Sequence, residues 1–366
     1  MNIPGRDFWT LNYHLLSEKW GFKQIVRAPE KLQDMAAKSI LVVASTALGD
    51  AILCTPLLRK LREDFPNTKI GFLVKKPFSN LFEQHSHNLQ LHTYTKKYRN
   101  EGALISSIKS QNYQVALLAN ANDPDVVPLI YKSGVRAFLR RPTRDSAYRN
   151  WMANIDELRH PHEDDYATGH AIIQNLRMLE WLTHKPTHVG DYPTEVYISN
   201  DDEIAATRLL PHTKNLIGIH PGASKDFKRW PVEYFQRLID LLYTSERHFI
   251  ITGSPEEFEL CEKVANGRNE CVTQLAGKLT LRQLAGAMKQ FKVFISGDTG
   301  PYHLAMAVGC PTLTWFSPTD KGSDIESVGP LYNRQKHLVI RPKGYSQAMR
   351  TISPESVDLE VMKVLS

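Results

Sequence analysis

Three short segments each bring a small residue, a polar group and a charge within a few positions of one another. Ser45-Thr46-Ala47-Leu48-Gly49-Asp50 ends in a carboxylate. His220-Pro221-Gly222-Ala223-Ser224 runs on into Lys225-Asp226-Phe227-Lys228-Arg229-Trp230-Pro231, adding a hydroxyl and several cations. Gly297-Asp298-Thr299-Gly300-Pro301-Tyr302-His303 offers a carboxylate, a hydroxyl and an imidazole. Each follows a short apolar run and precedes an amphipathic stretch, the junction of a strand with a helix. Unpaired amides at a helix start favour an anion. In the second segment those amides and Ser224 would donate to a phosphate while Lys228 neutralises it; the alternative is a solvated basic loop. In the third, helix-start amides, the Thr299 hydroxyl and the His303 imidazole converge on one small volume. Asp-Thr-Gly alone is weak evidence, since aspartic proteases use it, but those are β-proteins without a following helix. Asp50 falls in a first helical turn. It is either a carboxylate stabilised by the helix dipole or a general base facing an interdomain cleft. The Asp50 segment completes neither GxGxxG nor a lysine-bearing P-loop, which argues against a dehydrogenase or a P-loop NTPase. Three phosphate-compatible loops favour a nucleotide ligand.

The surrounding pattern alternates short apolar runs with longer amphipathic stretches, the grammar of βαβ units and parallel sheets. In the first half, strands are expected at Ile40–Val43, Lys69–Val74 and Gln114–Ala119, with helices at Ala51–Arg62 and near Thr168–Leu182. Pro186–Thr194 reads as a linker. The pattern then restarts, with strands at Asn215–His220, His248–Thr252, Cys271–Gln274, Lys292–Ser296 and Thr312–Phe316. Helices are expected at Val232–Leu242, Glu256–Val264, Leu281–Lys289 and Tyr302–Val308, and Ser353-Pro354 opens a terminal one. A chain of 366 residues suits two domains. The division is an N-terminal helical extension over 1–38, a Rossmann-like domain over 39–190, a second over 195–345, and a C-terminal helix over 346–366. In the extension, Trp9, Tyr13, Leu16 and Trp20 share one helical face. That face either packs on the first domain or touches a membrane surface, aided by Lys19, Lys23 and Arg27.

Hydrophobic residues at 42 % and charged ones at 23 % exclude disordered, collagen-like and coiled-coil classes. No apolar run approaches the roughly 18–20 residues that span a bilayer, and Asp7, Asn12, His14 and Glu18 break any signal peptide. Cys54, Cys261, Cys271 and Cys310 show no CxxC spacing, so a reducing, cytoplasmic setting is expected. A net charge of +6 suits an anionic partner. Lys132, Arg136, Arg140, Arg141, Arg144 and Arg149 stand against one acid, Asp145. They form either a solvated basic face or a site for an anionic acceptor. No RNP-like or helix-turn-helix signature accompanies them, which disfavours nucleic acid. His160-Pro161-His162-Glu163-Asp164-Asp165 lacks HExxH spacing and reads as a solvated loop, as do His85, His87 and His92.

In order and spacing, these segments resemble glycosyltransferase family 9, the ADP-heptose:lipopolysaccharide heptosyltransferases. The resemblance runs through Ala47-Leu48-Gly49-Asp50, Thr55-Pro56-Leu57-Leu58, His220-Pro221-Gly222-Ala223-Ser224, Lys228-Arg229-Trp230-Pro231, Gly253-Ser254-Pro255-Glu256-Glu257, Ser296 to His303, and Pro318-Thr319-Asp320. It implies an α/β GT-B architecture, two Rossmann-like domains with parallel sheets facing across a cleft, acceptor on the first and donor on the second. It places Asp50 at the catalytic base, and Ser224 and Lys228 on the donor diphosphate. Asp298, Thr299, Gly300 and His303 fall on the loop that meets phosphates and sugar. Leu279 falls where the backbone meets adenine, and Glu256 or Glu257 near the ribose. The implied activity is inverting transfer of heptose from ADP-heptose to the lipopolysaccharide inner core. Arg136, Arg140, Arg141 and Arg144 would meet that anionic glycolipid at the cytoplasmic face of the inner membrane, the enzyme being peripheral. No essential metal or other cofactor is expected, because no DxD stands at a strand end. The alternatives are a relative using another nucleotide sugar or a protein acceptor, a nucleotide-sugar epimerase, and a non-catalytic two-domain nucleotide-sugar binding protein. Two departures stand out: Ala223 replaces a hydroxyl found in some members, and the N-terminal extension has no counterpart in the usual pattern.

Overall fold

Ser39–Ala44 forms strand β1, buried along its whole length. A strand with no polar alternation must be covered on both faces, which is the condition of a parallel sheet flanked by helices. The computed structural model describes residues 38–84, 87–95, 101–120, 126–140, 169–183, 185–186, 193–213, 215–318, 324–344 and 348–365. The chain divides into two units, Met1–Thr194 and Glu195–Ser366.

In the first unit, β2 (Lys69–Lys75), β3 (Gln90–Tyr94), β4 (Val115–Asn120) and β5 (Ala137–Arg140) join β1 in the order β3-β2-β1-β4-β5. Every pairing is parallel. Expected as one helix, Ala51–Arg62 is two: α1 (Leu48–Ile52) and α2 (Thr55–Asp64). Pro56 has no N–H for the Ile52 carbonyl, and the Thr55 hydroxyl takes it instead at 2.8 Å. Leu57, Leu58 and Leu61 of α2 are fully buried. Beyond it the unit contains α3 (Glu101–Gln111), α4 (Val126–Lys132) and α5 (Ala171–Thr183).

Three strands, β3, β5 and β11 (His337–Ile340), were not expected from the apolar pattern. They are four or five residues long and lie at sheet edges, where little apolar sequence is required. His92 is a correction of the same kind. It is a buried β3 residue, not a solvated loop, with Nδ1 2.8 Å from the Ser107 hydroxyl and Nε2 2.8 Å from the Tyr113 phenol.

In the second unit, β6 (Asn215–His220), β7 (Arg247–Ile251), β8 (Val272–Gln274), β9 (Phe291–Gly297), β10 (Thr312–Trp315) and β11 pair in the order β11-β10-β9-β6-β7-β8, again all parallel. Ahead of them lies α6 (Asn200–Thr207), between them run α7 (Val232–Leu242), α8 (Phe258–Ala265), α9 (Leu281–Met288), α10 (Gly300–Ala307) and α11 (Ile325–Val328), and α12 (Pro354–Leu365) follows. Val357 and Val361 of α12 join Trp230, Phe235, Leu238 and Trp315 in one core. Glu256 was expected at a helix start. It lies instead in a 3-10 turn, Pro255–Glu257, ahead of α8, because Ser254 and Glu257 close a capping box around that turn.

Both units are doubly wound α/β folds. Strand order reverses between β1 and β4 in one and between β6 and β9 in the other. Loops leaving the carboxyl ends of strands at such a switch point form a crevice for ligands. The Asp50 segment follows β1; the Ser224 and Asp298 segments follow β6 and β9.

Candidate functional site

Register brings the second unit's loops together. His220 of β6 pairs with Ser296 of β9, and Gly297 pairs with Trp315 of β10. The chain therefore leaves β6 at His220-Pro221 beside the point where it leaves β9 at Asp298. After Ser224, which is exposed, a 3-10 turn over Asp226–Lys228 turns the Lys228 side chain inward. Its Nζ lies 3.0 Å from Asp298 Oδ2, with the two side chains 8 % and 6 % exposed. His303, on the first turn of α10, places Nε2 3.7 Å from Asp298 Oδ1. Thr299 is the N-cap of α10 and makes no side-chain cap bond. Its buried Oγ1 has no hydrogen-bond partner. A cation, a hydroxyl available to donate, an imidazole and a helix N-terminus thus share one strand-end site, the chemistry of an anion receptor.

Glu256 and Glu257 separate clearly. Glu256 is exposed, and a backbone hydrogen bond followed by one to Ser254 holds its carboxyl below the usual range. Glu257 points inward. Its Oε2 accepts the Ser254 N–H at 2.8 Å, and a Cβ on Gly222 would fall 1.9 Å from its Oε1. The carboxylate therefore lies on the Gly222 backbone, joining the loop after β6 to the loop after β7. His220 Nε2 is 4.0 Å from Glu257 Oε2, and its Nδ1 is 3.2 Å from Thr252 Oγ1. Thr252 donates to the Ile219 carbonyl, which assigns the His220 proton to Nδ1. Burial pushes the His220 pKa down, against the pull of Glu257. Leu279, half-buried, ends a loop tied to the same place: Gly277 donates to the Gly253 carbonyl at 2.9 Å. Gly277 has φ +72, and a Cβ added there would fall 3.2 Å from Pro255 Cα, so a side chain would be strained as well as crowded.

In the first unit Asp50 sits in the first turn of α1, at the carboxyl end of β1. Arg136 donates from Nη1 to the Tyr131 carbonyl at 2.6 Å and lies over the Tyr131 ring at 3.9 Å. Arg140 is a buried residue of β5. Arg141 and Arg144 lie outside the described residues, as do the helical extension, His85 and the His160–Asp165 segment.

The model of glycosyltransferase family 9 (heptosyltransferase) matches residues 101–353. The chain belongs to this family. Among its curated relatives, the lipopolysaccharide heptosyltransferase 3 of Escherichia coli K12 is 25 % identical, over 74 % of this chain and 80 % of its own. Among solved structures, the family 9 glycosyltransferase of Veillonella parvula superposes with TM-score 0.72 at 21 % identity, covering 90 % of this chain and 98 % of its own. The E. coli heptosyltransferase WaaC with ADP gives 0.71 at 18 % identity, covering 89 % and 99 %. The fold is therefore the GT-B class of two Rossmann-like units, and the chain is a glycosyltransferase. Residues Ser224 to His303 lie inside the family match; Asp50 precedes it.

Sequence reasoning missed two features of this family 9 site. One is the seat of Glu257 on Gly222, whose only signal is a glycine just beyond a strand. The other is Tyr302, fully buried, with a hydroxyl that has no partner. Burial first, then the Asp298 and Tyr332 charges, push its phenol well above the usual range. Among the described residues no group of three His, Cys, Asp or Glu side chains could hold a metal ion. No described helix is long and apolar enough to cross a membrane.

Proposed function

We propose that this family 9 enzyme transfers heptose, with inversion, from ADP-heptose to the inner core of lipopolysaccharide. The observation that carries this reading is the Lys228–Asp298–His303 constellation at the Thr299 helix start, in a chain of the heptosyltransferase family. The second unit holds the donor. Lys228 has three N–H donors, so it can keep its 3.0 Å contact to Asp298 and still meet a diphosphate oxygen. The Thr299 hydroxyl, the Gly300 amide and Ser224 supply further donors. Leu279 meets the adenine and Glu256 or Glu257 the ribose.

In the transfer step Asp50 takes the proton of the acceptor hydroxyl. The oxygen then bonds to the anomeric carbon, the bond to the β-phosphate breaks, and its electron pair leaves with ADP. Charge growing on that phosphate is met by Lys228 and the α10 start, preorganised for an oxyanion. These fixed donors do the work that a divalent ion does elsewhere, so transfer should survive chelation. The acceptor is anionic, and Arg136, Arg140, Arg141 and Arg144 are the groups suited to it. The enzyme acts as a peripheral protein at the cytoplasmic face of the inner membrane.

The test is transfer from purified ADP-heptose to a heptose-deficient core acceptor, read by mass spectrometry, with and without EDTA. Asp50→Ala should abolish product while leaving ADP binding intact. Comparable transfer by that variant removes the base assignment, and incorporation only from a different nucleotide sugar removes the donor.

A further inference from the structure

Asp50 stands on a helix that cannot hold itself in place. With five residues, α1 closes barely one turn, and its N-cap, Ala47, makes no side-chain bond. A single turn fixes several dihedrals for very few hydrogen bonds, so its direction is set by what grips its ends. At the front, strand β1 does this: Ser45 N–H donates to the Asn120 carbonyl at 2.8 Å. At the back, the chain breaks at Leu53-Cys54 before α2, and the break exposes carbonyls. Thr55 Oγ1 takes that of Ile52. That of Leu53 is taken by Asn175 of α5, 122 residues later, whose Nδ2 donates to it at 3.1 Å and lies 3.5 Å from Cys54 Sγ.

Asn175 is 1 % exposed, and its Oδ1 is buried without a hydrogen-bond partner. A buried amide normally satisfies both ends, and each exception calls for a reason. Here the N–H end is committed to the break while the acceptor end is left unmet. An apolar side chain of the same size would fill the site without that penalty.

We infer that Asn175 is a positioning residue for the transfer reaction: with Thr55 it clamps the α1–α2 break and so aims the Asp50 carboxylate. This rests on the reading of Asp50 as the base. Misplacement of a reacting group by about an ångström costs far more in rate than in stability, which separates aiming from simple packing.

The test uses the full chain. Asn175→Leu keeps the branching at Cγ, with somewhat larger terminal groups, and removes the donor. The kcat for transfer is expected to fall roughly tenfold or more, while the donor KM and the ADP dissociation constant stay within about twofold. Leu179→Ala, one turn further along the same helix, opens a cavity without removing the donor to the Leu53 carbonyl and is expected to keep kcat per folded molecule. An Asn175→Leu enzyme with wild-type kcat overturns the inference, and so does an equal loss in Leu179→Ala. If Asn175→Leu does not fold, Thr55→Val decides, since it frees the Ile52 carbonyl at the same break. The same selective kcat loss is expected there, and an unchanged kcat overturns the clamp. Asp50→Asn separates the two readings. If it transfers at the wild-type rate, the base itself is wrong. If it is inert beside a fully active Asn175→Leu, the clamp alone is wrong.

Discussion

Gly222→Ala is a small change with a sign that depends on one neighbour. The three atoms nearest to an added Cβ all belong to Glu257, with Oε1 at 1.9 Å and Cδ at 2.4 Å. The Gly222 φ is not positive, so the backbone itself accepts alanine, and only the carboxylate resists. To make room Glu257 must swing away and surrender the 2.8 Å bond from Ser254 N–H. A hydrogen bond to a charged group contributes about 1.5–3 kcal/mol. Against this, replacing glycine stiffens the unfolded chain by about 0.4–1 kcal/mol. The net expectation is a loss of roughly 1–2 kcal/mol in the second unit. In a Glu257→Ala background the obstacle is gone, only the unfolded-state gain remains, and the same substitution should stabilise by about 0.5 kcal/mol. Native-state hydrogen exchange of the Ile217 and Ile250 amides, in β6 and β7, reads the stability of this unit. A Gly222→Ala effect of the same sign and size in both backgrounds would refute the placement of Glu257 on the loop.

Three further expectations follow from the same geometry. Lys228→Met should cost roughly 3–5 kcal/mol, because it breaks an ion pair whose side chains are 8 % and 6 % exposed. Adding Asp298→Asn should restore much of the stability but none of the ADP affinity, by denaturation and calorimetry respectively. Burial lowers His92 and His337 to about 4, with Lys336 adding to the effect on His337. Above the unfolded value of about 6.5 both states are neutral; below it the unfolded chain binds protons that the native one refuses until pH 4. Stability should therefore fall between pH 6.5 and 4 by roughly 3 kcal/mol per histidine. Urea midpoints across that window check this, and His92→Leu should flatten the first unit's share; an unchanged slope would show that His92 is not buried neutral. Chelation is the last: EDTA should leave transfer unchanged, and a loss restored by a divalent ion would overturn the metal-free reading.

The strands and helices that carry the chemistry were legible because their signals are local. Asn215–His220 reads as six residues of buried strand from composition alone, and Val232–Leu242 as a helix from its apolar face; both stand as expected. The clustering of Lys228, Asp298 and His303 was legible one step less directly, through the rule that strand-end loops of parallel sheets gather on one side. The short edge strands β3, β5 and β11 were not seen, although β8, also at an edge, was. His92 looked like a loop histidine because nothing near it in sequence reveals that Ser107 and Tyr113 will supply its two partners.

The amino-acid sequence by itself determined which residue types stand at each strand end, and so an anion-binding chemistry, while the order and spacing of those segments carried the resemblance to the family. That follows from local rules: glycine and proline set turns, hydroxyls and cations set anion chemistry, and apolar periodicity sets which face is buried. Tertiary structure alone decided how those groups are used. Glu257 rather than Glu256 turns inward because Gly222, 35 positions earlier, leaves space for its carboxylate. The Leu53 carbonyl finds its donor in Asn175, 122 residues away. Register between β6 and β9, not any local pattern, sets Lys228 and Asp298 3.0 Å apart. Pairings between distant segments depend on which surfaces the sheet brings together, and one-dimensional periodicity carries no record of them.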